Sequence, residues 1–128
     1  SEFKRILDAN PDNVIALNNV AWLLRDSEPR QALAYIERAR DLSPNSPEIL
    51  DTLAVIQYAN KDYTQANTSI REALLRKPDD LSLQYHKAMV AAALGNTAEA
   101  IKELEAVLGS GADFPEQDDA RRLLAQLQ

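Results

Sequence analysis

A chain of 128 residues with 45% hydrophobic side chains is long enough and apolar enough to build one folded domain, which argues against disorder. Its formal net charge of -6 and pI near 4.7 argue against nucleic acid or an anionic membrane as partner, because both reward a dense basic surface. Zero cysteines remove disulfides, thiolate metal sites and cysteine nucleophiles together, and 5% aromatics with three glycines leave a helix-former's composition, so the expected class is all-α.

In chain order, Phe3, Ile6 and Leu7 fall at i, i+3, i+4, and Asn10-Pro11 supplies a stop. This opening stub is too short to stand alone in water and must pack on the next helix. That helix, from Asn13 to Arg25, carries Ala16, Val20, Ala21, Leu23 and Leu24 on a broad apolar face. Pro29 cannot continue it but can begin another, which carries Ala32, Ile36 and Ala39 and ends near Leu42, ahead of Pro44 and Pro47. The same pattern then recurs twice. Helices are expected over Pro47 to Ala59 and Tyr63 to Arg76 around an Asn60-Lys61-Asp62 turn, then over Asp80 to Leu94 and Thr97 to Leu108 around Gly95-Asn96. Gly109 closes the last of these. Asp113 and Glu116 have capping-box spacing, and Ala120, Leu123, Leu124 and Leu127 form one stripe, which predicts a final capping helix. The longest apolar run, Ala88 to Leu94, is far shorter than the roughly 20 residues that span a bilayer. No signal peptide opens the chain, and the pattern begins partway through a repeat, so a piece of a longer array is expected.

The alanines fix the period. Ala32, Ala66 and Ala100 are 34 residues apart, as are Ile36, Ile70 and Leu104, and Ala39, Ala73 and Val107. Ala21 to Ala54 is 33 while Ala54 to Ala88 is 34, which places a one-residue deletion in the turn before Pro29. Two helices approach to about 8–10 Å only where the side chains between them are small, so these alanines mark the closest contacts. One hairpin cannot bury both of its faces, so neighbouring hairpins must stack.

With these columns the sequence resembles the tetratricopeptide repeat family, whose 34-residue motif pairs two helices in this way. The resemblance implies a right-handed α-solenoid of antiparallel helix pairs. Its expected parts are the end of a preceding repeat at 1–11, repeats at 13–46, 47–80 and 81–111, and a capping helix at 113–128. The family's tryptophan position holds Leu17, Leu50 and Gln84, and its leucine position holds Val20, Leu53 and Lys87. Gln84 and Lys87 predict that the third repeat's first helix is the most exposed of its set. A more detailed resemblance lies in the run from Leu17 through Trp22 to Leu24, in Pro47 to Leu53, in Tyr85-His86 and in Phe114-Pro115-Glu116. These segments are similar to the C-terminal repeats of bacterial envelope proteins tied to exopolysaccharide export and PEP-CTERM sorting. That implies a bacterial cytoplasmic or periplasmic protein with a lean to the cell envelope.

In the family the first helices line a concave groove that holds extended peptides or a partner's helix. Carried over by the repeat frame, the groove positions are Asn18, Asp51 and Tyr85, then Trp22, Val55 and Met89, then Arg25, Tyr58 and Ala92. Together they make a mildly apolar strip with polar edges, suited to protein recognition. Trp22 has two readings, a groove anchor or an indole that completes the core beside Ala21. The family's basic clamp on a C-terminal carboxylate is not carried over, since only Asn19, Thr52 and His86 remain to donate hydrogen bonds. His86, the only histidine, reads as a partly exposed helix residue rather than a catalyst or ligand. Asp79-Asp80 and Asp118-Asp119 read as helix-start carboxylates, and Glu72 with Arg76 as a surface pair. No catalytic residue, metal site or cofactor is expected. The leading expectation is a scaffold that binds a protein or peptide; the alternative is homodimerisation through the face of Phe3, Ile6 and Leu7.

Overall fold

The computed structural model describes residues 2–128, with side chains from Lys4 onward. Eight α-helices make up the described chain: α1 (Glu2–Ala9), α2 (Val14–Leu24), α3 (Pro29–Leu42), α4 (Pro47–Ala59), α5 (Tyr63–Arg76), α6 (Leu81–Ala93), α7 (Thr97–Leu108) and α8 (Gln117–Leu127).

The starts of α2, α4 and α6 share one device. Asn13 accepts a hydrogen bond from the Ala16 amide at 3.0 Å, Ser46 from Ile49 at 3.3 Å and Asp80 from Leu83 at 3.1 Å. Each satisfies an amide that the first helical turn leaves without a partner. The partner helices α3, α5 and α7 begin without a side-chain cap, directly out of their hairpin turns. In two of those turns one residue takes a left-handed conformation, Lys61 at φ 66° and its repeat equivalent Gly95 at φ 86°. In the turn before α3 no described residue has positive φ, so the residue deleted from the repeat is the left-handed one.

Packing follows the columns. Ala21, Ala54 and Ala88 on the first helices, and Ala32, Ala66 and Ala100 on the second, are all completely buried, as are Ile36, Ile70 and Leu104. Within each hairpin α2 packs on α3, α4 on α5 and α6 on α7, while α3 to α4 and α5 to α6 join successive hairpins. Across the stack α2 touches α4, α4 touches α6 and α6 touches α8, whereas α3, α5 and α7 do not touch one another. The first helices are therefore closer together than the second ones, and the solenoid curves with α2, α4 and α6 on its inner side. Asn60 ties the stack together, its side-chain amide donating to the carbonyls of Pro29 in the previous hairpin and Ile56 in its own, both at 2.9 Å.

Three expectations need correction. Among the first helices it is α2 that exposes large apolar side chains, with Ile15 at 75% and Leu23 at 60%, and not α6, which buries Leu83, Tyr85, His86, Ala88, Val90 and Ala91. Lys87 is accommodated because its side chain is largely covered and its ammonium reaches Glu103 and Glu99 of α7. Gln84 donates to the Pro78 carbonyl at 2.8 Å. The Asp113–Glu116 capping box does not form: α8 starts at Gln117, and the Glu116 carboxylate instead accepts from the Ser82 hydroxyl of α6 at 2.8 Å. Arg76 donates to Asn45 Oδ1 at 2.6 Å and to the Glu72 carbonyl at 3.2 Å, in place of the expected pairing with the Glu72 carboxylate.

Candidate functional site

The inner wall is built from one face each of α2, α4 and α6. On α2 the core columns are filled by Leu17, Val20 and Ala21, all at 2% exposure or less, which turns Trp22 outward with 36% of its surface exposed. Trp22 is therefore not a core indole. The Arg25 guanidinium lies over the indole, 4.0 Å from the ring centroid, and donates to the Trp22 carbonyl at 2.7 Å, a cation–π contact. Asn18, one turn earlier, is half-buried, and its Oδ1 is enclosed without a hydrogen-bond partner.

On α4 the equivalent positions are Asp51, Val55 and Tyr58, all half-buried. Tyr58 meets Tyr63 edge-on with ring centroids 5.3 Å apart, which fixes its plane, and burial raises its hydroxyl pKa. At the start of α4 Glu48 accepts from Lys77 Nζ at 2.9 Å, and that hydrogen bond holds its carboxyl below the usual range.

On α6 the picture changes, because α8 lies over part of the wall. Tyr85, assigned by the repeat frame to the open strip, is buried to 7% exposure in a cluster with Ala88, Leu104, Val107, Phe114 and Ala120. Burial, with Asp119 nearby, pushes its hydroxyl up to about 12. Met89 is half-buried against the same cluster, and Ala92 is half-buried.

The expectation that His86 is partly exposed is also overturned. Its exposure is 7%, and its Nδ1 lies 2.6 Å from Asp51 Oδ1 across the α4–α6 junction. The period alone does not show this contact. Its signal in the sequence is an acid at one groove position and the lone histidine 35 residues later, one position beyond the repeat. The buried Thr52, another of the residues weighed as clamp donors, is committed too, its hydroxyl donating to the Glu48 carbonyl at 3.1 Å.

At the other end, one residue of the expected self-association face needs correction: Leu7 is buried in the core cluster that holds Ala16, Leu17 and Val20 of α2, while Ile6 is 37% exposed and the Phe3 side chain lies outside the described residues. Apolar crevices of about 440 and 370 Å³ open between α5, α6 and α7 around Leu74 and Lys87, sharing no residue with the inner strip. Among the described residues no helix is long and apolar enough to cross a membrane.

Stacked antiparallel hairpins with an inner wall of first helices define an α-helical repeat protein of the solenoid class. Two family profiles described as tetratricopeptide repeat match the chain, one over residues 23–90 and the other over 85–128, and the chain belongs to that family. It is 34% identical over 80 residues to the TPR repeat-containing protein PA4667 of Pseudomonas aeruginosa, a match that spans 61% of this chain and 14% of that relative's length. Similar solved structures include that of MamA, with TM-score 0.78 and 19% identity over 98% of this chain and 72% of that one. Another is YrrB, described as a TPR protein with an unusual peptide-binding site, with TM-score 0.76 and 20% identity over 99% of this chain and 64% of that one. A tetratricopeptide repeat protein from Parabacteroides merdae gives a TM-score of 0.74 at 16% identity, covering 98% of this chain and half of that one. At these identities the structures speak for the fold.

Proposed function

We propose that this chain is a non-catalytic scaffold whose inner, first-helix face takes a peptide or helix of a partner protein. The observation that supports the reading is Trp22, which keeps 36% of its surface exposed with Arg25 over its ring while Leu17, Val20 and Ala21 of the same helix are buried. In this reading Val55, Tyr58 and Met89 extend the strip and Asp51 gives it a polar edge. Exposed aromatic and arginine anchors of this kind dominate protein interfaces. That YrrB is described as peptide-binding accords with the reading. The finer placement, in bacterial envelope or exopolysaccharide assembly, rests on the similarity of Leu17 to Leu24, Pro47 to Leu53, Tyr85-His86 and Phe114 to Glu116 to such proteins. To test the scaffold, peptides selected on the immobilised chain are titrated into wild type and Trp22→Ala. A loss of affinity of about tenfold or more with the melting temperature retained supports it, and equal affinity for both overturns it.

A second reading, self-association, is favoured by Leu23. Leu23 is 60% exposed, whereas its repeat equivalents Ile56 and Val90 are 0% and 1% exposed. Within the described residues Leu23 and, on α1, Ile6 at 37% are exposed apolar side chains that a second copy can cover, as can the first helix of a preceding repeat. Sedimentation equilibrium decides it: a mass that rises with concentration and returns to monomer in Leu23→Glu supports the dimer, and a monomer mass at all concentrations removes it.

A further inference from the structure

The Asp51–His86 contact joins the first helices of two successive hairpins, and the scaffold reading makes no use of it. Asp51 leaves 20% of its side chain exposed and His86 only 9%. At the preceding junction the same two positions hold Asn18 and Thr52, neither of which titrates. The ionisable contact therefore belongs to the α4–α6 junction and to no regular feature of the repeat.

The surroundings of the imidazole are acidic. From α4 come Asp51 and, one turn earlier, Glu48, the latter held by Lys77 at the end of α5. Asp80 caps α6, and Glu116 at the start of α8 reaches Ser82 on α6. On α6 itself the Tyr85 ring centroid is 5.5 Å away, and Lys87 is drawn off to Glu99 and Glu103 of α7. A crevice of about 90 Å³, lined by Glu48, Asp51, Lys77, Asp80 and Ser82, opens beside the pair at the hairpin junction.

We propose that Asp51 and His86 form a proton-operated latch between the second and third hairpins. With the imidazolium present, α6 is clamped to α4 and the Asp51 charge beside the strip is neutralised. With the neutral imidazole the clamp weakens and Asp51 becomes an uncompensated carboxylate, ready for a cationic group of a partner; this last consequence rests on the scaffold reading. Burial by itself draws the imidazole pKa down, but the Asp51 hydrogen bond and charge, with Glu116 and Asp80, more than offset it, and the net shift is upward from 6.5. A histidine raised in the folded state contributes stability that is complete below its unfolded value and is lost as pH rises through the folded one. The latch is thus closed on the acid side and opens as pH rises through the raised pKa of the folded-state imidazole.

The chain has one histidine, so a single imidazole resonance reports the latch without assignment. It is followed by NMR from about pH 5 to about pH 9 in wild type and in Asp51→Asn, with melting temperatures recorded at each pH. A working latch gives a wild-type midpoint above 6.5 that moves down in Asp51→Asn, and a gap in melting temperature between the two that is widest in acid and closes above the midpoint. Should Asp51→Asn not fold, His86→Gln keeps a donor without a titration, and its melting temperature must fall below wild type in acid and converge with it in base. A midpoint at or below 6.5, one unmoved by Asp51→Asn, or a gap in melting temperature that ignores pH overturns the latch. None of these readings needs a bound partner, so an unoccupied groove leaves the titration unchanged and the two proposals fail separately.

Discussion

Leu23, Ile56 and Val90 occupy one column of the repeat, yet Leu23 stands 60% exposed at the α1–α2 end while the other two are sealed in the middle of the stack. The residues are equally apolar and the helices equally regular. What differs is the neighbour: α2 covers the Ile56 face of α4, and α4 covers the Val90 face of α6, but no described helix covers Leu23 in the same way. In a solenoid, burial is a property of the junction and not of the residue, and stability is accordingly a sum over junctions.

That contrast is broken most sharply by truncation. Ile56→Ala should cost about 2–5 kcal/mol, the range for a large side chain removed from a closed core, read from denaturant unfolding. If Ile56→Ala were as mild as a surface change, the middle junction would not be the stabilising unit. The hairpin turns carry the comparison to a smaller scale. Gly95→Ala should cost about 1 kcal/mol, since an added Cβ meets nothing within 4 Å and the whole effect is the left-handed backbone. Lys61→Gly, at the same turn position one repeat earlier, should gain about 1 kcal/mol for the same reason, and a loss would mean that the lysine side chain matters to the turn. The smallest effect is expected at the open end, where Leu23→Ala should stay within about 0.5 kcal/mol in dilute solution. A larger loss that grows with protein concentration would show Leu23 buried between two copies.

The columns of alanine and aliphatic residues are legible in the sequence because each sits at a point of closest approach, where size alone decides. The helices from Pro47 to Ala59 and from Tyr63 to Arg76 can be bounded from prolines and the turn between them. Exposure is harder to read. Gln84 and Lys87 point to an open α6, but a long lysine stem can lie along a neighbouring helix and α8 supplies cover, neither of which the period encodes. Tyr85 is misplaced by the repeat frame for the same reason, since the frame gives a direction and not what lies above it. Trp22 keeps two readings in the sequence, and only the filled columns around it show the ring outside the core. The Asp51–His86 pair lies off the 34-residue register by one position, so a search for repeated residues passes over it.

The scaffold reading puts the partner against Trp22, Val55, Tyr58 and Met89, and it is tested most closely by mapping a selected peptide onto the isotope-labelled chain by NMR. Shifts should concentrate on the Trp22 indole and on the α2 and α4 amides that flank the strip, with the Trp22 fluorescence changing in parallel. Shifts confined to α3, α5 and α7, or to the crevices around Leu74 and Lys87, with Trp22 unmoved, would contradict a docking face on the inner wall.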